Sequence, residues 1–451
     1  MITTKNPYNN ETINTYQLHT ASQVEDMILK SASAFQSWKV QTIGDRTDLL
    51  NKVSQLLIER KQEYAELMTK EMGKPISQSL AEIEKCSTVC DFYVKNAAYF
   101  LADELIKTDA KESFISYDPS GTILAIMPWN YPFWQVMRFA APALTAGNTA
   151  ILKHASNTTG CALAIEQLFL DAGYPEGCFQ TVLVGHEAIE TIIAHKTVTG
   201  VTLTGSEKAG RTIAALAGKH LKKSVMELGG NNACIILEDA NLEKHIDTIV
   251  MARMQNAGQS CIAAKRFIVV DAIYDEFMEA FKKRTSEIKA GDPMDEATEI
   301  GTMARQDLVD TLEDQVNASV NKGAKITYGF NNEGHYFEPT ILEHVTAGMP
   351  ASDEELFGPV AAIIRVKNRE EAIATAINSK FGLGTMLFTR DIKGARKLIG
   401  SIPDGAFFVN DMVKSNAQLP FGGTKASGYG RELSHEGILE FVNKKTVYIR
   451  K

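Results

Sequence analysis

Apolar positions recur every three to four residues along 21–39, 45–74, 160–172, 206–221, 273–288, 369–379 and 392–402, and polar residues fill the opposite face of each run. That period predicts amphipathic helices. Between them stand short β-branched runs at 122–127, 149–153, 181–184, 200–204, 233–237, 266–270, 361–366, 385–388 and 406–409. Runs such as CIIL and FIVV lack strict alternation, as expected of strands covered on both faces. Strands separated by helices predict βαβ units and mostly parallel sheets, an α/β class. Two stretches, 106–118 and 434–451, are polar, strand-prone and poor in helix signals. They read either as an extended arm that pairs with another subunit or as surface loop and tail. No repeat period stands out, which excludes a solenoid.

Length and composition narrow this picture. A chain of 451 residues holds about three folded units or two large ones. Its 44 % hydrophobic and 23 % charged residues exclude a disordered chain. A net charge of −8 argues against nucleic acid or an anionic membrane surface as partner. Six cysteines without a CxxC pair indicate neither a disulfide framework nor a zinc ribbon, and nine scattered histidines show no metal-ligand spacing. Cys86 and Cys90, four apart on an apparent helix, read as core. The N-terminus lacks the apolar stretch of a signal peptide, and the most membrane-like segment, 121–144, is interrupted by Pro128, Asn130, Pro132, Arg138 and Pro142. The expectation is a cytoplasmic protein with reduced thiols.

Four segments carry candidate chemistry. Cys261, in NAGQSCIAAKRF, follows small and polar residues and precedes a strand-like run, so a substrate can approach its thiol. An isolated cysteine is more often a small buried apolar residue, and that alternative stays open. Glu227, in MELGGNN, lies between apolar runs near a strand end, where burial raises a carboxyl pKa and suits it to general-base work; a purely local hydrogen-bonding role is the alternative. Asn130, in PWNYPFW, is flanked by Pro128 and Pro132, which fix the backbone and present the amide rigidly, for an oxyanion or simply in a turn. The turn Thr204-Gly205-Ser206 joins a strand to a helix and offers free N–H groups to a phosphate, or serves only as a cap; no GxGxxG follows any strand.

Taken together, PWNYPFW, LTGSEKAG, MELGGNN, GQSCIAAKRF, EELFGPV and LPFGGTKASGYGRE resemble the aldehyde dehydrogenase superfamily in order and interval, over essentially the whole chain from about Asn6. The resemblance implies two parallel-sheet α/β domains with a β oligomerisation arm: a dinucleotide-binding domain at 1–105 and 120–228, a catalytic domain at 229–431, and an arm at 106–119 and 432–451, in a homodimer or homotetramer. It implies that Cys261 is the nucleophile toward an aldehyde, that the Asn130 side chain and the Cys261 N–H hold the oxyanion, and that Glu227 activates the hydrolytic water. Trp129, Gly205 and Ser206 would lie by the cofactor pyrophosphate, Lys153 by the adenosine ribose, and Glu355 and Phe357 by the nicotinamide ribose.

Two departures from the family bear on specificity. NAD-preferring relatives commonly carry Lys-Pro-Ser-Glu, whereas this chain reads Lys153-His154-Ala155-Ser156; a neutral Ser156 removes a carboxylate that would repel a 2′-phosphate. NADP is therefore expected to be accepted and preferred, with NAD as second cofactor. Gln135 and Arg138 fall on the helix that lines the substrate tunnel in this family. Arg138 and Ser415 match the positions that hold the substrate carboxylate in succinate-semialdehyde dehydrogenases, but the usual second arginine is Gln255 here. The favoured reading is oxidation of succinate semialdehyde to succinate. The same chemistry on glutarate semialdehyde or another aliphatic aldehyde, and a non-catalytic nucleotide-binding or structural protein of this fold, remain as alternatives.

Overall fold

Two twisted sheets absorb nearly all the β-branched runs of the sequence. The computed structural model describes residues Met1–Arg450. The first sheet orders its strands as Gly428–Tyr429, Lys223–Glu227, Val198–Thr204, Thr122–Met127, Thr149–His154 and Phe179–Thr181, parallel except for the first. The second runs Lys325–Tyr328, Thr340–Glu343, Val360–Val366, Ala264–Val270, Asn232–Ile236, Gly384–Phe388 and Ala406–Val409, again antiparallel only at its first edge. The unalternating apolar runs have a plain cause. Cys234 and Ile236 enter one core while Ala233 and Ile235 enter another, and Phe267 and Val269 part from Ile268 and Val270 in the same way. Both faces of the strand are dry, so both sets are apolar.

A third, antiparallel sheet joins Val442–Ile449 along its whole length to Glu112–Pro119, with Glu104–Leu105 beyond. The C-terminal segment does more than form a strand, however. Ser434–Leu439 is a short helix, a departure from the helix-poor expectation, and Leu433, Ile438, Leu439 and Phe441 are buried in the core under the first sheet. The strand Gly428–Tyr429 likewise adds an edge to that sheet.

Other differences follow from local backbone. The run 45–74 is two helices, Ile43–Glu59 and Lys61–Met72, broken at Arg60 where φ is −103° and ψ is 18°. The second stops at Gly73, whose φ of 77° is the left-handed terminator that glycine tolerates. The apparent helix around Cys86 and Cys90 extends over Ile76–Phe100, the longest among the described residues, while Leu242–Met254 and Gln306–Asn321 escaped the periodicity reading. The strand expected at 181–184 lies earlier, at Phe179–Thr181. Among the described residues no helix is long and apolar enough to cross a membrane.

Candidate active site

In an open parallel sheet, ligands bind beyond the carboxyl ends of the strands, where the strand order reverses. In the first sheet that reversal lies between the neighbours Thr122–Met127 and Val198–Thr204. Trp129 and Asn130 follow the first of these strands, and Gly205 and Ser206 follow the second. Glu227 ends the next strand, and Lys153 is the penultimate residue of Thr149–His154. Six predicted residues thus converge on one edge, because each lies at or just past the end of one of four strands.

The loop that carries Cys261 comes from the second sheet and bends back to meet that edge. Asn256, Ala257 and Gly258 have φ of 54°, 49° and 70° in succession, a left-handed run that costs about 1 kcal/mol or more for each non-glycine. The surrounding structure holds it in place. The Asn256 N–H donates to Gln78 Oε1 at 2.8 Å, Gln259 Nε2 to the Asn256 carbonyl at 3.1 Å, and the Ala304 N–H to Gln259 Oε1 at 2.9 Å. The buried Arg253 donates to the carbonyls of Gly258 and, at 2.9 Å, of Ala264. Gly258 itself is irreplaceable: a Cβ there would meet the Gly358 carbonyl oxygen at 2.3 Å. The two sheets are stitched at this point. Asn130 Nδ2 donates to the Gln259 carbonyl at 3.0 Å, and Asn256 Nδ2 to the Asn130 carbonyl at 2.9 Å.

Cys261 is the one cysteine of the six that is not fully buried. Burial pushes its thiol up to about 11, against the pull of Arg138 and Lys265. Its backbone N–H has no protein acceptor. One N–H of the Asn130 amide is used on Gln259, which leaves the second for a ligand. Lys265 Nζ donates to the carbonyls of Ser260 and Cys261, each at 2.9 Å, and pairs with Glu355 Oε1 at 3.0 Å.

Glu227 is buried, and neither carboxylate oxygen has a protein hydrogen-bond partner. Burial raises its pKa well above the usual carboxylate range; Glu432 adds to the rise, while Arg138 and Arg431 oppose it. Gly422 lies directly against it, since a Cβ there would come within 2.8 Å of Glu227 Oε1. Glu432, which the sequence did not single out, pairs with Arg138 Nε in the protein interior. Arg138 Nη2 also donates to Thr204 Oγ1 at 3.3 Å, and the guanidinium stacks 4.7 Å from the Phe421 ring centroid.

Cys261 opens on a cavity of 320 Å³ whose wall includes Gln135, Arg138, Gln255 and Ser415, the four residues expected at the substrate. The cavity also contains Lys85, which the sequence reading missed. Its ammonium donates to Ser415 Oγ at 2.7 Å and lies 4.2 Å from the Trp134 ring centroid. Trp134 begins the helix Trp134–Thr145, whose first N–H groups, from Phe133 and Trp134, donate to Glu82 Oε1 at 3.0 and 2.9 Å. The other oxygen of Glu82 pairs with the fully buried Lys74.

On the cofactor side the residues fit a dinucleotide. Ser206 caps the helix Glu207–Lys219, with Oγ accepting from the Ala209 N–H at 3.3 Å. A Cβ on Gly205 would meet nothing nearer than Leu203 at 3.5 Å, so the protein itself does not require glycine there, and the open space could admit a phosphate close to the backbone. Trp129 packs edge-on to Phe357 with centroids 5.8 Å apart. Glu355 Oε1 accepts from the Gly230 N–H at 3.1 Å. Lys153 is half-buried, which lowers its pKa against the support of Glu187, and Ser156 is exposed. His154 has a structural use. Burial lowers it to about 4, so it is neutral; Nε2 faces the Pro132 carbonyl at 3.0 Å and must carry the proton, leaving Nδ1 to accept from Thr158 Oγ1 at 2.9 Å.

Comparison with known proteins agrees with this geometry. The profile of the aldehyde dehydrogenase family matches residues 1–447. The chain is 47 % identical to the protein named probable succinate-semialdehyde dehydrogenase, NADP(+), of Synechocystis sp., covering 99 % of each. It is 42 % identical to succinate semialdehyde dehydrogenase, NAD(P)+, of Escherichia coli K12, covering 98 % of this chain and 96 % of that one. The solved structure of succinic semialdehyde dehydrogenase from Streptococcus pyogenes with NADP+ superposes over the full length of both chains with a TM-score of 0.98 at 37 % identity. With fold and full-length sequence similarity in accord, the chain belongs to the aldehyde dehydrogenase family.

Proposed function

We propose that this protein oxidises succinate semialdehyde to succinate with NADP as preferred cofactor and NAD as the weaker one. The observation that carries the reading is the small cavity in which Cys261 shares a wall with Gln135, Arg138, Gln255, Ser415 and Lys85: a nucleophile facing a cationic, hydrogen-bonding pocket. The names of the relatives from Synechocystis and Escherichia coli support the same substrate.

The residues divide the work as follows. Cys261 Sγ adds to the aldehyde carbon. The oxygen of the adduct takes up negative charge, which the spare Asn130 N–H and the Cys261 backbone N–H stabilise; one such donor contributes about 10²–10³ in rate. When bound, the nicotinamide would supply the acceptor for the hydride that the adduct carbon loses as the carbonyl of the Cys261 thioester re-forms. Trp129, Lys153, Ser156, Gly205, Ser206, Glu355 and Phe357 are the residues that would hold the cofactor. Glu227, its pKa raised by burial, takes a proton from water, and the water oxygen displaces Cys261 from the thioester as the free acid forms. Coenzyme A has no role in this sequence.

In the same reading residues 1–105 and 120–228 bind the cofactor, 229–431 carry the nucleophile and 106–119 with 432–451 form the arm, except that Gly428–Tyr429 joins the first sheet and Leu433, Ile438, Leu439 and Phe441 pack beneath it, so those stretches go with the cofactor-binding domain. Val442–Ile449 is an edge strand, and pairing it across subunits in a dimer or tetramer satisfies its free backbone groups. The cytoplasm suits six unpaired cysteines. The decisive assay measures succinate and reduced cofactor from succinate semialdehyde, without coenzyme A, using NADP and NAD in parallel. Equal acid yield from the Cys261→Ala variant, or no acid from the unmodified enzyme, overturns the proposal.

A further inference from the structure

The cavity around Cys261 contains several charges, and most of them cancel. Arg138 pairs with Glu432. Glu82 pairs with Lys74 and accepts two backbone N–H groups. Lys414 pairs with Asp411 at 2.7 Å. Lys85 is left over: among the described residues its ammonium meets a hydroxyl and an aromatic face but no carboxylate. A half-buried cation over a tryptophan is tolerable, since the ring face offsets part of its lost hydration, but it is poised for an anion.

We propose that Lys85 is the specificity-determining residue of this enzyme, its ammonium together with the Ser415 hydroxyl gripping the distal carboxylate of a short ω-oxo acid. The assignment rests on the semialdehyde reading above and differs from the sequence expectation, which gave that task to Arg138. The donor set suits it. Ser415 Oγ accepts from Lys85 Nζ, so its own hydrogen is free to point at a carboxylate oxygen. The Gln255 side chain lines the same cavity and makes no hydrogen bond with the protein, so its amide supplies a third donor, a neutral one. Arg138, by contrast, commits Nε to Glu432 and Nη2 to Thr204, which offsets its charge with a neighbouring carboxylate and leaves only Nη1 for a ligand. Lys85 and Ser415 come from segments 330 residues apart, which is why neither residue type nor spacing announced the pair.

The test compares kcat/KM for succinate semialdehyde with kcat/KM for butanal, which is uncharged and of the same carbon number. In Lys85→Met this ratio falls by about 10- to 100-fold, the effect of one charge-assisted contact, through KM of the semialdehyde. In Lys85→Arg, which keeps the charge, most of the ratio is retained. The unmodified enzyme gives a second, independent reading. Burial, then Arg138, lowers Lys85 to about 8, while Cys86, Glu82 and Lys74 complete its charged surroundings. Protonated below that pH and neutral above it, Lys85 makes the semialdehyde-to-butanal ratio drop about tenfold between pH 7 and pH 9, with the titration of Cys261 cancelling in the ratio. A ratio that survives in Lys85→Met, or that stays flat to pH 9, overturns the assignment. If Lys85→Met does not fold, the pH arm alone decides. An unmodified enzyme that prefers butanal at pH 7 overturns the semialdehyde reading itself, a result visible before any variant is made.

Discussion

Glu82→Gln isolates what the buried pair beneath the substrate helix contributes. The Glu82 and Lys74 side chains are 2 % and 0 % exposed. The substituted amide oxygen can still accept from the Phe133 and Trp134 N–H groups, so the helix start keeps its acceptor. What is lost is the counter-charge of Lys74, whose pKa burial already lowers and Glu82 props up. Breaking a buried pair in this way costs about 3–5 kcal/mol. Lys74 can escape part of the penalty by losing its proton. For a lysine of reference pKa about 10.4, that route costs about 4.6 kcal/mol at pH 7, which sets the ceiling. The sign of the pH dependence follows. In the variant the unfolded chain binds the Lys74 proton and the folded chain does not, so stability rises with pH, by about 1.4 kcal/mol per unit up to the unfolded pKa. Urea unfolding followed by tryptophan fluorescence should show a deficit of about 3–4.6 kcal/mol at pH 7 that shrinks toward pH 9, by about 1 kcal/mol at the lower end of that range and about 2.7 kcal/mol at its ceiling. Adding Lys74→Met to Glu82→Gln should recover most of it. A deficit below about 1 kcal/mol, or one that ignores pH, refutes the reasoning.

Glu227→Gln should leave a burst of reduced cofactor equal to the number of active thiols, then slow turnover by about 10²–10⁴, as read in a stopped-flow trace; a full steady-state rate would remove Glu227 from hydrolysis. Gly205→Ala should raise KM for NADP several-fold while shifting Tm little, because the added Cβ meets only Leu203 at 3.5 Å; loss of stability instead of affinity contradicts the phosphate assignment. With its thiol pushed up to about 11, Cys261 in the cofactor-free protein should be alkylated about tenfold faster for each pH unit from 7 to 9, and a plateau near pH 7 in iodoacetamide kinetics would refute that environment.

The chemistry-bearing loops were readable because each is a local device: a strand end, a glycine turn, a proline-bracketed amide. Cys261, Glu227, Asn130 and Ser206 carry their signal in adjacent residues. Lys85, Glu432, Lys265 and Glu82 do not, since each acts on a partner brought near only by folding. Arg138 illustrates the boundary. Its place in the cavity wall was legible from the helix after Asn130, but its ion pair with Glu432 was not. The extent of the helix Ile76–Phe100 beyond Cys86 and Cys90 was illegible for a local reason. It starts at Pro75 without a side-chain cap, and its buried stripe mixes Ile83, Val89 and Tyr93 with the small residues Cys86, Cys90 and Ala97, which blunts the apolar period. The break at Arg60 lies in a continuous amphipathic run and contains neither glycine nor proline.

The return of the C-terminal segment to the first sheet sets an order of events during synthesis. An emerging nascent chain of residues 1–228 holds five of the six strands of that sheet, but it lacks the edge strand Gly428–Tyr429 and the packed Ser434–Leu439. Arg138 meanwhile lacks the carboxylate that pairs with it, which is made almost 300 positions later in translation. The amino-terminal half therefore cannot mature on the ribosome ahead of the rest, and a fragment ending near residue 228 should be a client for chaperones rather than a free-standing module.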